Sequence, residues 1–246
     1  MKKNIIFISF LFLVAGMYSQ KQIYNGEINY EITMKFDKDK IKALNKKNNV
    51  SEQVKKMINS TVKNPGKANF KLLFNKNESI FEEEKSLTIN DKGVNLVKIM
   101  IGKGLFYTDK NSKKILNQKE AFGKIFLIDV PQVRWVLTQR TKKIGNYSCY
   151  KATTEKEVEN EKGKFVKKVT AWYTPELPIN FGPKDYFGLP GLILELTEGN
   201  LLFKASKINV SFNKNIHIKK PTKGKKVTLK EYNEIAKEII KNYRRQ

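Results

Sequence analysis

An alternation of apolar and polar residues from Gly26 to Phe36 constrains the fold of this chain most. Ile28, Tyr30 and Ile32 stand at every second position of this stretch, so a β-strand places them all on one face. One apolar and one polar face is typical of antiparallel sheets. Strand patterns recur at residues 68–74, 79–82, 104–108, 124–129, 135–138, 147–155, 165–173, 192–196 and 201–205. Ten short strands with turn residues between them predict one large antiparallel sheet.

Two segments have helical spacing of their apolar residues instead. In the first, residues 50–63, Asn49 is the expected N-cap and Glu52 its partner three residues later. The second, residues 228–243, begins with Thr228 and Glu231, which together form a capping box. Ten strands and two helices predict an α+β fold. Because no repeat or domain linker interrupts the pattern, residues 20–246 are expected to form a single domain.

The first 19 residues have the pattern of a secretory signal peptide. Lys2 and Lys3 precede a short apolar run from Ile5 to Val14, and small and polar residues follow. Cleavage is expected between Ser19 and Gln20, which would send the protein to the periplasm or the extracellular space. The rest of the chain contains no apolar run of the length that a membrane-spanning helix needs.

The chain is strongly basic, with 48 Lys and Arg residues against 24 Asp and Glu residues and a formal charge of +24. Only four of the basic residues are arginines, the residue that proteins favour for reading bases and phosphates. The lysines are scattered, and their densest tract, residues 219–226, is typical of a solvated linker. We therefore expect no nucleic-acid partner.

Motifs for catalysis, metals and cofactors are missing from the sequence. There is no G-x-S-x-G elbow, H-E-x-x-H motif, P-loop or paired C-x-x-C, so we predict no catalytic residue, metal or cofactor. Cys149, the single cysteine, is either a buried strand residue, a reactive thiol or the site of an intermolecular disulfide. His217, the single histidine, is expected at the surface rather than as a metal ligand or general base. Glutamates at every second position from Glu155 to Glu161 indicate either a cross-strand charge ladder with lysines or a site for a hard cation.

One segment combines prolines, glycines and aromatic residues. Four of the seven prolines lie between Trp172 and Leu192, and within it Pro190 and Gly191 fit the central positions of a type II turn. The segment is either an ordered crossover that covers one edge or mouth of the sheet or a recognition surface. Its candidate residues for partner binding, ligand binding or loop structure are Trp172, Tyr173, Asp185, Tyr186, Phe187, Gly188, Leu189, Pro190, Gly191 and Leu192. Among these we expect Gly191 to be the least replaceable and Asp185 and Tyr186 to be exposed, whereas Lys184→Ala should be harmless.

The same segment carries a family resemblance. Gly188–Ile193 reads Gly-Leu-Pro-Gly-Leu-Ile, preceded by Trp-Tyr-Thr-Pro at 172–175 and by the stretch from Thr141 to Ala152. In these residues the chain resembles the GLPGLI family of exported Bacteroidetes proteins. The resemblance implies an exported protein of unassigned activity, often encoded near TonB-dependent outer-membrane receptors. The pattern is also similar to the lipoprotein-carrier fold, a curved antiparallel half-barrel around a helix.

These observations predict an exported, non-enzymatic accessory protein of the cell envelope. Its partner would be a TonB-dependent receptor or an apolar or amphiphilic ligand. The rival hypothesis is a hydrolase whose acidic residues meet only in the fold, and a third is a purely structural surface protein. An apolar concave pocket without perturbed carboxylates favours the first, two carboxylates converging in a cleft favour the second, and the third predicts no pocket.

Overall fold

The computed structural model describes residues 25–84, 95–160, 163–211 and 216–243, without the side chain of Asn160. The predicted signal peptide, residues 1–19, and its cleavage site lie outside this part of the chain. The elements are β1 (Asn25–Met34), α1 (Lys38–Asn45), α2 (Glu52–Lys63), β2 (Ala68–Phe74), β3 (Glu78–Glu83), α3 (Leu96–Ile101), β4 (Gly104–Asp109), β5 (Lys114–Ala121), β6 (Lys124–Val130), β7 (Val136–Ile144), β8 (Tyr147–Asn160), β9 (Gly163–Thr174), β10 (Leu192–Glu198), β11 (Leu201–Ser211), β12 (Lys225–Thr228) and α4 (Leu229–Tyr243).

The twelve described strands form one sheet in the order β12-β6-β5-β4-β3-β2-β1-β11-β10-β9-β8-β7. Neighbouring strands are antiparallel, except that β12 pairs with β6 in parallel. The predicted large antiparallel sheet is therefore confirmed. Strand β1 lies inside the sheet between β2 and β11, and its alternating Ile28, Tyr30 and Ile32 are fully buried on the core face.

The two ends of the sheet lie close together. Strand β6 is second from one end and β7 is the other end, yet only residues 131–135 connect them. Six residue steps span at most about 20 Å, so the sheet must curve strongly. Helix α4 bridges the same gap: it follows β12 at one end, and its Lys237 ammonium pairs with Glu159 of β8 at 2.6 Å. We call this junction of residues 131–135, α4 and β8 the seam.

The helices differ in part from the prediction. Helix α4 has the predicted capping box, because Thr228 N donates to Glu231 Oε2 at 2.7 Å and Glu231 N donates to Thr228 Oγ1 at 3.2 Å. Helix α2 is capped by Ser51 rather than Asn49. The prediction of two helices is wrong, since the short helices α1 and α3 bring the described number to four. None of the described helices has the length and apolar character needed to cross a membrane.

Two strands were not predicted, β5 and β12. Only Ile115 and Leu116 of β5 are buried, because its polar second half takes its strand conformation from pairing with β4 and β6. The expected lysine-rich linker at residues 219–226 is wrong at its end: Lys225 begins β12, and this strand buries Val227 against the core.

Candidate functional site

The proline-rich segment forms an ordered cover over the inner face of the sheet. We call residues 175–191, which connect β9 to β10, the covering loop. Its backbone is fixed by hydrogen bonds from Leu192 N to Leu177 O at 2.9 Å and from Gly188 N to Asn180 O at 2.7 Å. Its apolar side chains join the main core; they are Leu177, Ile179, Phe181, Tyr186, Phe187 and Leu189.

Gly191 is constrained by close packing and not by a type II turn. Its φ of 159° differs from the value near +80° that such a turn needs. Leu192 N donates to Leu177 O, and Leu189 O accepts from the Asn180 side chain at 2.9 Å, so neither group closes a turn. A Cβ atom on Gly191 would lie 2.1 Å from Thr174 O. The prediction of a type II turn is therefore wrong. Glycine is needed at position 191 because a side chain there would collide with the backbone of Thr174.

The predicted site residues do not form one surface. Because side chains alternate along β9, Trp172 lies on the outer face, where the Lys142 ammonium stands 4.5 Å from its ring centre. Tyr173 is buried on the inner face beside Tyr150. Phe187, Leu189, Gly191 and Leu192 are buried as well, while Gly188 and Pro190 are exposed.

Asp185 and Tyr186 are each 1% exposed, so the expectation that they lie at the surface is wrong. Asp185 pairs with Lys156 of β8, with 2.5 Å between Nζ and Oδ2. Lys184 pairs with Glu198 at the end of β10, and its side chain is 12% exposed. The expectation that Lys184→Ala is harmless does not fit this pairing, because the change would leave the buried Glu198 without the Lys184 ammonium. We call Lys156, Lys184, Asp185 and Glu198 the ionic cluster.

The ionic cluster favours the charged forms of Asp185, Glu198 and Lys156. Burial alone would raise the pKa of Asp185 and of Glu198, but the ammonium groups of Lys184 and Lys156 lower both pKa values overall. Burial likewise opposes the charge of Lys156, yet Asp185 and Glu198 raise its pKa overall. Burial, followed by the negative charges of Glu198 and Asp185, raises the pKa of Tyr186, which stays neutral. Asp185 Oδ1 and Tyr186 Oη make no hydrogen bond within the described structure.

A cleft of about 1170 Å³ opens at the seam, and we call it the seam cleft. Its walls are residues 131–134, the β8–β9 hairpin and the first turn of α4. Nine of its twenty lining residues are charged: Arg134, Lys151, Lys156, Lys164, Lys168 and Lys230 are basic, and Glu155, Glu157 and Glu159 are acidic. Since Lys156 also pairs with Asp185, this lysine connects the seam cleft to the covering loop.

A smaller groove of about 420 Å³ exposes part of the proline-rich motif. Gly188, Leu189 and Pro190 face residues 132–135 across it. Trp135 Nε1 donates to Phe187 O at 3.0 Å, and its ring lies 5.9 Å from that of Tyr186. The segment that joins the two ends of the sheet therefore also holds the covering loop in place.

The other candidates from the sequence are Cys149, His217 and the glutamates of β8. Cys149 is fully buried, and burial raises the pKa of its thiol. His217 is exposed, and no group of three or more metal-binding side chains occurs among the described residues. Glu155 and Glu159 stand opposite Lys168 and Lys164 of β9, as a charge ladder requires, whereas Glu157 faces Val166. Glu161 lies outside the described residues.

Lys156 and Glu198 were not among the site residues predicted from the sequence. Lys156 stands between glutamates of β8 that face outward, so strand alternation turns it toward the core. A lysine on the inner face of a strand needs a buried carboxylate as its partner. The position of Lys156 in the alternation of β8 was therefore the sequence signal that could have indicated a buried ion pair.

Comparison with known proteins finds a family model that matches part of the chain and two structures that are similar in fold. Residues 135–195, from the seam through the covering loop to β10, match the model of a family described as "Protein of unknown function (Porph_ging)". No curated protein matches the sequence. Two crystal forms of PNGF-II, in space groups C2 and P21, are similar in structure at 15% and 14% identity, each with a TM-score of 0.48. They match 86% of this chain, which spans about a third of theirs.

Proposed function

We propose that this protein is an exported, non-enzymatic binding protein of the cell envelope and that it holds its partner in the seam cleft. The observation that carries the proposal is the size and lining of this cleft. Its volume of about 1170 Å³ lies just above the range of about 300–1,000 Å³ that is usual for ligand sites in proteins. A purely structural surface protein would need no such cleft.

The ionic cluster argues against the rival hydrolase. That hypothesis requires two carboxylates that converge in a cleft, but Asp185 and Glu198 are buried, and each is paired with a lysine and has a lowered pKa. A carboxylic acid that donates a proton in catalysis needs a raised pKa. Two ion pairs of balanced charge instead suit the anchoring of the covering loop to β8 and β10.

The lining of the seam cleft favours a polar partner over a wholly apolar ligand. Only six of its twenty residues are apolar, namely Pro131, Val133, Val136, Val158, Val169 and Leu229. The proposal also includes export, which rests on the signal-peptide pattern of residues 1–19. An envelope location and a link to TonB-dependent receptors are part of the proposal too, and they rest on the resemblance to the GLPGLI family. The similarity to the lipoprotein-carrier half-barrel is likewise proposed, with the curvature at the seam in its support.

Site-specific photo-crosslinking in the native cell envelope tests the proposal. A benzophenone amino acid replaces Val136, which is 63% exposed and lines the seam cleft. The control position is Tyr243, which is 81% exposed and does not line it. We expect a discrete crosslinked species from position 136 and none from position 243. Equal crosslinking at both positions, or none at either, would contradict the proposal.

A further inference from the structure

The edge of β8 is open along one wall of the seam cleft. Strand β7 pairs with β8 only as far as Thr153. From Thr154 to Glu159, β8 pairs with β9 on one side and, among the described residues, with no strand on the other. Such an edge presents a row of unpaired N–H and C=O groups that can accept a further strand.

The seam cleft gives this edge the second wall that a bound strand needs. Arg134 of the connecting segment and Lys230 and Asn233 of α4 line the cleft together with Thr154–Glu159. An extended segment inserted there would pair with β8 on one side and face α4 on the other, as far as the Lys237–Glu159 ion pair that joins the helix to β8. Among the described residues the outer edge of β7 is also open, but Val136 is its only residue that lines the seam cleft.

The charges around the cleft select the occupant. Its lining contains six basic and three acidic residues. The three glutamates, Glu155, Glu157 and Glu159, share the outer face of β8, whereas Lys156 lies on the inner face. Like charges directly opposite each other on paired strands are destabilising. Lys156 is already paired with Asp185, and Glu159 with Lys237. The rest of the lining therefore has five basic residues against Glu155 and Glu157, so an acidic occupant whose carboxylates avoid the outer face complements this site.

We propose that an extended peptide segment of the partner adds to the sheet as a strand along Thr154–Glu159, with acidic side chains on one face only. This inference rests on the proposed function and names the mode of binding at the same site. Strand addition obtains its affinity from main-chain hydrogen bonds and its specificity from alternate side chains. Arg134 and Lys230 attract the carboxylates from the opposite wall.

Binding of a labelled peptide tests the mode directly. The probe is an N-acetylated peptide of about eight residues that alternates threonine with glutamate, followed by fluorescence anisotropy. We expect binding to weaken about tenfold in the Arg134→Glu and Lys230→Glu variants and less than about twofold in Lys207→Glu, an exposed position outside the cleft. A peptide alternating threonine with lysine should bind at least about tenfold more weakly.

Backbone methylation separates strand addition from simple charge attraction. N-methyl groups on every second residue of the peptide remove the donors along one of its edges, and shifting them by one residue removes those along the other. We expect one of the two methylated peptides to lose binding and the other to keep it. The bound probe should also slow hydrogen exchange within residues 154–159 and leave residues 164–172 unchanged.

Equal effects of the two methylation patterns, or no protection of residues 154–159, would overturn strand addition. If position 136 still crosslinks to a discrete partner in the envelope, the proposed function survives that result and only the mode of binding fails. If neither the probe binds nor position 136 crosslinks, both fail.

Discussion

At the scale of single residues, the stability of the fold depends most strongly on the buried charges of the ionic cluster. A buried ion pair repays its desolvation only while both partners are present, and removing one leaves an uncompensated charge. We expect Asp185→Ala to lower the free energy of unfolding by about 3–5 kcal/mol, as measured by urea titration. The double variant Lys156→Met with Asp185→Leu should recover most of that loss.

A matched control is the exposed pair of Lys114 and Asp129, also 2.5 Å apart. Because water screens this pair, Asp129→Ala should cost no more than about 1 kcal/mol. Equal losses for Asp185→Ala and Asp129→Ala would show that the ionic cluster does not hold the covering loop.

Gly191 gives a second prediction at this scale. An alanine there would bring Cβ within 2.1 Å of Thr174 O, and this backbone contact relaxes only if β9 and the covering loop separate. We expect Gly191→Ala to cost more than about 3 kcal/mol. At Gly199, where φ is +57° and no atom lies within 4 Å of the added Cβ, alanine should cost only about 1–2 kcal/mol of local strain. Comparable melting temperatures for the two variants would contradict the steric explanation.

At the scale of elements, sequence patterns predicted the features that are stabilised by interactions within a single strand or helix. The alternation of β1 and the capping box of α4 are complete within the element itself, and both are confirmed. Strand β5 and the edge strand β12 depend on their neighbours, which the sequence does not reveal. The ionic cluster joins Lys156 to Asp185 across 29 positions, so no local pattern pointed to it. The position of the proline-rich segment was predictable, but which of its side chains are buried was not.

The capping box of α4 can be tested as an element. Thr228 and Glu231 exchange hydrogen bonds that satisfy free N–H groups at the start of the helix. Thr228→Ala should therefore cost about 1 kcal/mol, seen as a lower midpoint of urea unfolding. Glu238→Ala, an exposed change on the same helix, should have almost no effect. A loss for Glu238→Ala as large as that for Thr228→Ala would argue against a role for the cap.

At the scale of the whole molecule, stability should depend on acid in a defined direction. The folded-state pKa values of Asp185 and Glu198 lie below the unfolded values of 3.8 and 4.5. Their ionised forms therefore stabilise the fold above those values, and this stabilisation disappears as the pH falls through the folded-state values. We expect the free energy of unfolding to fall steadily below about pH 4.5.

The double variant Lys156→Met with Asp185→Leu separates the ionic cluster from other acidic groups. Its stability should fall less steeply with decreasing pH, because Asp185 no longer titrates. A residual slope should remain, since Asp109 and Glu231 at the surface also have lowered pKa values. Identical slopes for the variant and the natural sequence, measured by urea unfolding across the pH series, would refute the assignment.

The seam should make the two ends of the sheet unfold together. Both tryptophans, Trp135 and Trp172, lie at the β7–β9 end, whereas Tyr232 of α4 packs on Phe126 of β6 at the other end, 5.2 Å between ring centres. Truncating this buried ring in Tyr232→Ala removes about 3 kcal/mol of packing. We expect tryptophan fluorescence and far-UV circular dichroism to show the same reduced urea midpoint, because one continuous core includes both ends. Tyr243→Ala, the same change at an 81% exposed position of the same helix, should leave both signals unchanged. If Tyr232→Ala shifted the dichroism but not the fluorescence, the two ends would be unfolding independently, and α4 would not connect them.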